Sequence, residues 1–180
     1  IALVSAGSYL LIYGGLGLIG LKLAQKVEFA DLWDPAVSNR QRFLIPALAG
    51  AALGVFFVLA DTVFQAWHGL GPLPHPPFPT SLVASIAAAI GEEIIFRLFF
   101  ISFWVWLVSR VLLKGRAQMP IFWIVAVASA LLFAFGHLPS VMILYGFESI
   151  QAVPPGLLIE LILLNGSLSL LAAHYFRVYG

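Results

Sequence analysis

Gly91-Glu92-Glu93-Ile94-Ile95-Phe96-Arg97 sets two carboxylates and a guanidinium in the middle of an otherwise apolar stretch. If that stretch crosses a bilayer, each charge near its centre costs at least ~2.5–3.5 kcal/mol on insertion scales, which makes the cluster a candidate functional site. On a helix Glu93 and Arg97 stand four residues apart on one face, acid before base, the better orientation for an ion pair. Glu92 is turned ~100° away, onto the stripe of Phe96, Phe99 and Phe103. One acid can therefore be neutralised within the helix, while the other has no in-helix partner. An unpaired carboxyl in a low-dielectric site suits general acid or base catalysis near neutral pH. The same spacing equally suits an ion-pair network that braces a bundle.

His137 is the second candidate, in Leu132-Phe133-Ala134-Phe135-Gly136-His137-Leu138-Pro139. Phe133 shares its helix face, and Ala126, Ala130 and Ala134 form a small-residue stripe that lets a neighbouring helix approach. A histidine at a helix end is commonly an interfacial or capping group, so a catalytic His137 needs a partner, and Glu92 is the candidate. A carboxylate and an imidazole sharing one water could deprotonate it for attack on a peptide carbonyl. Missing motifs narrow the chemistry. Without cysteine there is no thiol nucleophile, disulfide framework or thiolate metal site. No His-Glu-x-x-His zinc motif and no Gly-x-Ser-Gly nucleophile motif occurs, and Asp61 is the only aspartate outside the first loop.

The elements that must position these residues are membrane helices. Hydrophobic residues make up 62% of the chain and charged residues 9%, against roughly 25% charged in soluble domains. A 180-residue globule cannot hide that excess, so lipid is the expected solvent. Five apolar segments, at about 2–23, 43–67, 80–108, 120–137 and 156–176, each approach the ~20 residues a spanning helix needs. The fold class is thus an all-α, polytopic transmembrane bundle, with neither an internal repeat nor a soluble domain. Gly14, Gly15, Gly17 and Gly20 should let the first helix pack closely, and Pro79 and Pro120 suit helix starts. The apolar run at residues 1–21 lacks a basic n-region and a cleavage site, so it reads as a membrane helix rather than a signal peptide. A net charge of +1 gives no reason to expect nucleic acid as a partner.

Loop charges set an expected topology. Lys22, Lys26, Arg40 and Arg42 lie in or beside the first loop and Arg110, Lys114 and Arg116 in the third, while the second and fourth have no Lys or Arg. Loops one and three and the C-terminal end should face the cytoplasm, with Ile1 starting outside. This leaves one geometric conflict. If the third helix starts at Thr80, Glu92 lies ~18 Å deep at 1.5 Å per residue. If the fourth starts at Pro120, His137 lies only ~4 Å below the opposite boundary of a ~30 Å core. The two meet only if the third helix starts later, near Ser85, or the helices tilt or shift.

Glu92-Glu93-x-x-x-Arg97, followed on the next helix by Phe133-x-x-x-His137, resembles the first two motifs of the CPBP family: CAAX prenyl endopeptidases and bacterial CAAX-protease and bacteriocin-processing proteins. Pro-Phe-Pro-Thr80-Ser-Leu before the first motif and Gly-His137-Leu-Pro139 closing the second agree with it, and the resemblance runs from about residue 44 to 180. It implies a helical intramembrane endopeptidase in which Glu92 and His137 activate water and Arg97 partners or orients Glu93. Its partners would be the bilayer and a membrane-associated peptide or protein, and its setting a multi-pass protein of the bacterial plasma membrane. The family has been labelled metalloprotease. A metal-free glutamate mechanism with no cofactor is favoured here, with a divalent metal such as zinc left open. The family's last motif, a His followed four residues later by Asn or Asp and thought to hold the oxyanion, is not matched, because Val178 follows His174. His174 is therefore expected to be a helix-end residue. The single domain over 1–180 is expected to be a piece of a larger bundle, cut at both ends. Two other functions stay open: a non-catalytic membrane protein for bacteriocin immunity or partner binding, and a small proton- or ion-coupled transporter using Glu92 and Glu93.

The remaining polar residues carry blander expectations. Asp61 and Glu160 are read as interfacial, Asn165 as a packing residue, and His68 and His75 as residues of a Pro/Gly-rich loop. Trp67, Trp104, Trp106 and Trp123 fit an aromatic belt.

Overall fold

The computed structural model describes residues 2–72 and 76–180, and side chains from Gly7 onward. The reading of His75 falls outside the described residues. Helix α1 runs Ala2–Lys26. A π-helical turn, Arg40–Leu44, leads into α2, Ile45–His68. Helix α3, Thr80–Glu92, continues without a break into a π-helical stretch, Glu93–Ile101. One α-helical turn (α4, Ser102–Val105) and a second π stretch, Trp106–Leu112, complete that rod. Helix α5 is Gln118–Tyr145 and α6 is Pro155–Tyr179. There is no strand among the described residues, and five helical runs are long and apolar enough to cross a membrane.

The spans match the sequence expectation to within a few residues except in the fourth, where α5 passes through Pro139 and ends at Tyr145. Proline within a helix removes one hydrogen bond and crowds the preceding turn. Packing overrides that cost here. Leu138 and Val141, on either side of Pro139, are buried in one apolar cluster with Val153, Leu157 and Leu161. The helix stops instead at Gly146, whose φ of 71° is the left-handed cap position that glycine adopts without strain. The extension resolves the depth conflict. His137 lies eight residues inside the end of α5, ~12 Å along its axis, and not at the rim.

Close approach of α1 to the π stretch depends on one glycine. A Cβ on Gly20 would sit 2.6 Å from the Leu98 carbonyl oxygen, whereas Gly14 and Gly15 face open space and Gly17 meets Ile94 only at ordinary contact distance. Of the four expected contact glycines, the structure uses Gly20. Alanines 126, 130 and 134 are buried, as the small-residue stripe predicts.

The loops sort by end. Arg110 pairs with Glu28 at 2.9 Å, Gln118 Nε2 donates to the Val27 carbonyl at 2.6 Å, and Ala30 N–H donates to the Arg177 carbonyl at 3.2 Å. Loops one and three and the last turn of α6 therefore share one end, the basic end. At the far end the Tyr145 hydroxyl donates to the Pro72 carbonyl at 3.2 Å, joining the last residue of α5 to the second loop.

Candidate active site

Glu92 closes α3 and Glu93 opens the π stretch, so the two neighbouring acids straddle a change of helical register. A π segment inside an α-helix is rare and is frequently found at functional sites. Glu93 Oε1 lies 3.4 Å from Arg97 Nε, an i, i+4 pair in which the Arg97 side chain is 2% exposed and that of Glu93 48%. The spacing prediction for this pair is met. The Arg97 guanidinium also lies 4.9 Å from the Phe133 ring centre, over its face, a cation–π contact that favours a flat, weakly hydrated cation.

His137 comes in from α5. Its Nε2 lies 3.8 Å from Glu92 Oε1, with side chains 37% and 33% exposed. Its Nδ1 lies 2.8 Å from the Phe133 carbonyl oxygen. A carbonyl only accepts, so Nδ1 carries a proton, and in the neutral ring Nε2 presents its lone pair towards Glu92. Phe133 organises the site twice over. Its carbonyl sets the histidine tautomer, while its ring packs edge-on with Phe96 at 5.3 Å and against the His137 ring at 4.8 Å. All four candidate residues thus form one cluster, built from the α3 rod and α5.

The donor set does not fit a zinc ion. Zinc takes three or four protein ligands at ~2.0–2.2 Å, and no group of three His, Cys, Asp or Glu among the described residues could hold a metal. Glu93, the nearest further carboxylate, is engaged by Arg97.

Residues 74–178 match the family described as Type II CAAX prenyl endopeptidase Rce1-like. The chain belongs to this family. The match spans α3 to α6 and includes Glu92, Glu93, Arg97 and His137; α1 and α2 lie outside it. Membership makes the chain, in general class, a CAAX-type intramembrane protease, and with its five membrane-length helices it is an integral membrane protein. No curated protein and no solved structure matches the chain.

Within this Rce1-like chain the other polar residues divide. His174 stacks on Trp123, ring centres 6.3 Å apart, and Trp123 precedes His137 by fourteen residues, ~21 Å along α5. His174 therefore sits at the basic end, as its helix-end reading expects. The Asn165 amide folds back onto the Leu161 carbonyl of its own helix. The readings of His68 and Glu160 need correction. His68 is the last residue of α2, not a loop residue. Glu160 is fully buried inside the bundle rather than exposed at its surface, and the two are 3.0 Å apart. A signal was available, because Asp61, Gln65 and His68 recur at i, i+4 and i+7 and so share one face of α2.

Next to the site, a 520 Å³ cavity opens between α1, α2, the π stretch and α6. Its walls are mostly apolar, with Arg42 and Glu93 among them, while Glu92 and His137 lie outside it.

Proposed function

We propose that this protein hydrolyses a peptide bond of a membrane-associated protein or peptide, using Glu92 and His137 to activate one water molecule. The observation that carries the reading is the 3.8 Å gap between Glu92 Oε1 and His137 Nε2, with the histidine's other nitrogen tied to a carbonyl. That gap is longer than one hydrogen bond (~2.8 Å) and shorter than two end to end, so one water at its apex reaches both atoms.

Glu92, as carboxylate, takes a proton from that water while His137 Nε2 accepts its other O–H. The hydroxyl oxygen bonds to the peptide carbonyl carbon, giving a tetrahedral intermediate. Glu92 then returns the proton to the nitrogen as the C–N bond breaks, and acid and amine leave. Arg97 holds Glu93 in an ion pair beside Glu92. No step is routed through a metal.

The test is cleavage of a membrane-peptide library by the full chain in detergent, comparing wild type with Glu92→Gln, each with and without a strong chelator. The expected outcome is cleavage that vanishes in Glu92→Gln and ignores the chelator. Full activity in Glu92→Gln would sink the mechanism. Cleavage abolished by chelator and restored by metal would sink the metal-free form of it.

A further inference from the structure

Arg42 and Asp31 stand at the basic end of the 520 Å³ cavity beside the candidate site, and one turn of the first loop holds both. The Asp34 N–H donates to the Asp31 carbonyl at 2.9 Å, while Arg42 Nη2 donates to the Asp34 carbonyl at 2.7 Å. Arg42 Nη1 reaches the Asn39 amide oxygen at 3.4 Å, and Asp31 Oδ1 accepts the Trp33 N–H at 3.2 Å. Each charge thus meets neutral groups, and neither residue belongs to an ion pair among the described residues. Arg42 is the third residue of the second membrane-length run, Arg40–His68, which puts both charges at the level of lipid headgroups. Below them the walls are apolar, with Leu98 from the π stretch and Leu168, Leu171 and Ala172 from α6. Helix α1 gives the depth. A Cβ on Gly17 would stand 3.8 Å from Ile94, the residue after Glu93, and α1 ends nine residues further on, at Lys26. Nine residues rise ~13 Å, close to half of a ~30 Å hydrocarbon core and so to the depth of one leaflet's acyl chains. At the deep end Glu93 is offset by Arg97. Leu21 and Leu32 of the wall are 44% and 47% exposed, so the cavity opens sideways on a lipid-facing surface.

We propose that this cavity binds one ethanolamine phospholipid from the leaflet at the basic end. One acyl chain fills the apolar slot, the phosphate pairs with Arg42, and the primary ammonium pairs with Asp31. A guanidinium suits a phosphate because its fork of N–H donors matches the phosphate oxygens. The second charge selects the headgroup. A glycerol headgroup carries the phosphate but leaves Asp31 beside an anion with no cation between them. A choline headgroup carries both charges but has no N–H to donate to the Asp31 carboxylate. The cavity's volume lies within the ~300–1,000 Å³ of sites that bury a small organic ligand. The site stands whether or not Glu92 and His137 cleave peptides. Only one corollary rests on the peptidase reading: a substrate entering past Glu93 must displace this lipid. Lipid binding is tested without any cleavage assay, so either can fail alone.

Native mass spectrometry reads the site directly, on the full chain stripped of lipid in detergent and titrated with ethanolamine, glycerol and choline phospholipids of identical acyl chains. Wild type should retain one ethanolamine lipid under activation that removes all others, and prefer it by ~10-fold, the worth of one charge-assisted hydrogen bond. Arg42→Gln should weaken all three lipids alike, whereas Asp31→Asn should keep a bound lipid and lose the preference. Two further variants fill the slot. Gly50→Leu adds a side chain at a wall position where a Cβ meets no atom within 4 Å, and Ala172→Trp adds one from the α6 wall. Each should abolish retention. Thermal unfolding in the same detergent identifies a variant that has not folded, and the other then decides. No retained lipid in wild type, tighter binding of the glycerol lipid, or unchanged retention in a folded slot-filling variant overturns the proposal. Retention of a peptide from the membrane-peptide library in place of the lipid would assign the cavity to substrate and overturn it as well.

Discussion

At the residue scale, the Phe133 carbonyl commits His137 Nδ1 as a donor and leaves Nε2 as the nitrogen the proposed mechanism uses. A glutamine at 137 keeps hydrogen-bonding capacity but has no ring to hold that orientation, so His137→Gln should lower kcat by ~10²–10⁴ with KM nearly unchanged. Steady-state kinetics on whatever peptide the library reveals would check it, and an effect confined to KM would contradict the assignment. Arg97 poses a different question, because its contribution is charge and shape together. Its side chain is 2% exposed, Nε and Nη1 have no hydrogen-bond partner, and its neighbours are Glu93 and the face of Phe133. Arg97→Met leaves two acids without their cation and should cost roughly 1–3 kcal/mol of stability, discounted because Glu93 is half exposed. Arg97→Lys keeps the charge but loses the flat guanidinium over the ring, and should fall between the two in thermal unfolding. Equal melting of the lysine variant and wild type would show that charge alone matters.

At the element scale, the third span is built from alternating α and π register, Thr80–Glu92, Glu93–Ile101, Ser102–Val105 and Trp106–Leu112. Bonds in a π segment reach one residue further back than in an α-helix, so the register change between Glu92 and Glu93 alters how the two acids are spread around the rod. Helix α1 seats on this stretch at Gly20, where a Cβ would stand 2.6 Å from the Leu98 carbonyl. A backbone atom cannot step aside as a flexible side chain would. Gly20→Val should therefore push α1 outward and lower stability by ~1–3 kcal/mol. Gly14→Ala, in open space, should be neutral or gain up to ~1 kcal/mol from helix propensity. Thermal unfolding of both in one detergent decides it, and equal melting of the two would remove the close approach. The five spans were readable in the sequence because bilayer thickness demands apolar length, which is a property of composition. The quartet of Glu92, Glu93, Arg97 and His137 was readable because charges in such runs stand out. The π register left no trace in residue types. The run of α5 past Pro139 depends on Leu138 and Val141 packing in one cluster with the start of α6, which no local propensity contains. The pairing of His68 with Glu160 joins residues 92 apart in the chain, and the prolines and glycines after His68 made a loop the natural expectation.

At the scale of the whole molecule, the two ends of the bundle differ in charge and in what they hold together. Loops one and three and the end of α6 meet through Glu28–Arg110, Gln118 to Val27 and Ala30 to Arg177. Lys26 lies 5.2 Å from the Trp106 ring centre at the same end. At the far end Tyr145, the last residue of α5, bonds to Pro72 of the second loop, and the second and fourth loops have no Lys or Arg. Positively charged loops are retained on the cytoplasmic side during insertion, so the shared basic end should be cytoplasmic. That reading can be checked residue by residue, because any cysteine introduced into this chain is the only one present. Single cysteines at Ser38 and Lys114 should resist a membrane-impermeant thiol reagent added to intact cells and react once the membrane is opened. Cysteines at Gly71 and Glu148 should react from outside at once. A split within either pair would break the shared-end arrangement itself. An exchange of the two patterns would keep the arrangement and reverse the orientation, placing the Glu93 cavity, which borders the basic end through Arg42 and Tyr179, on the outer side. Substrate would then have to arrive from outside the cell, so the labelling pattern also decides which compartment's peptides belong in the cleavage library.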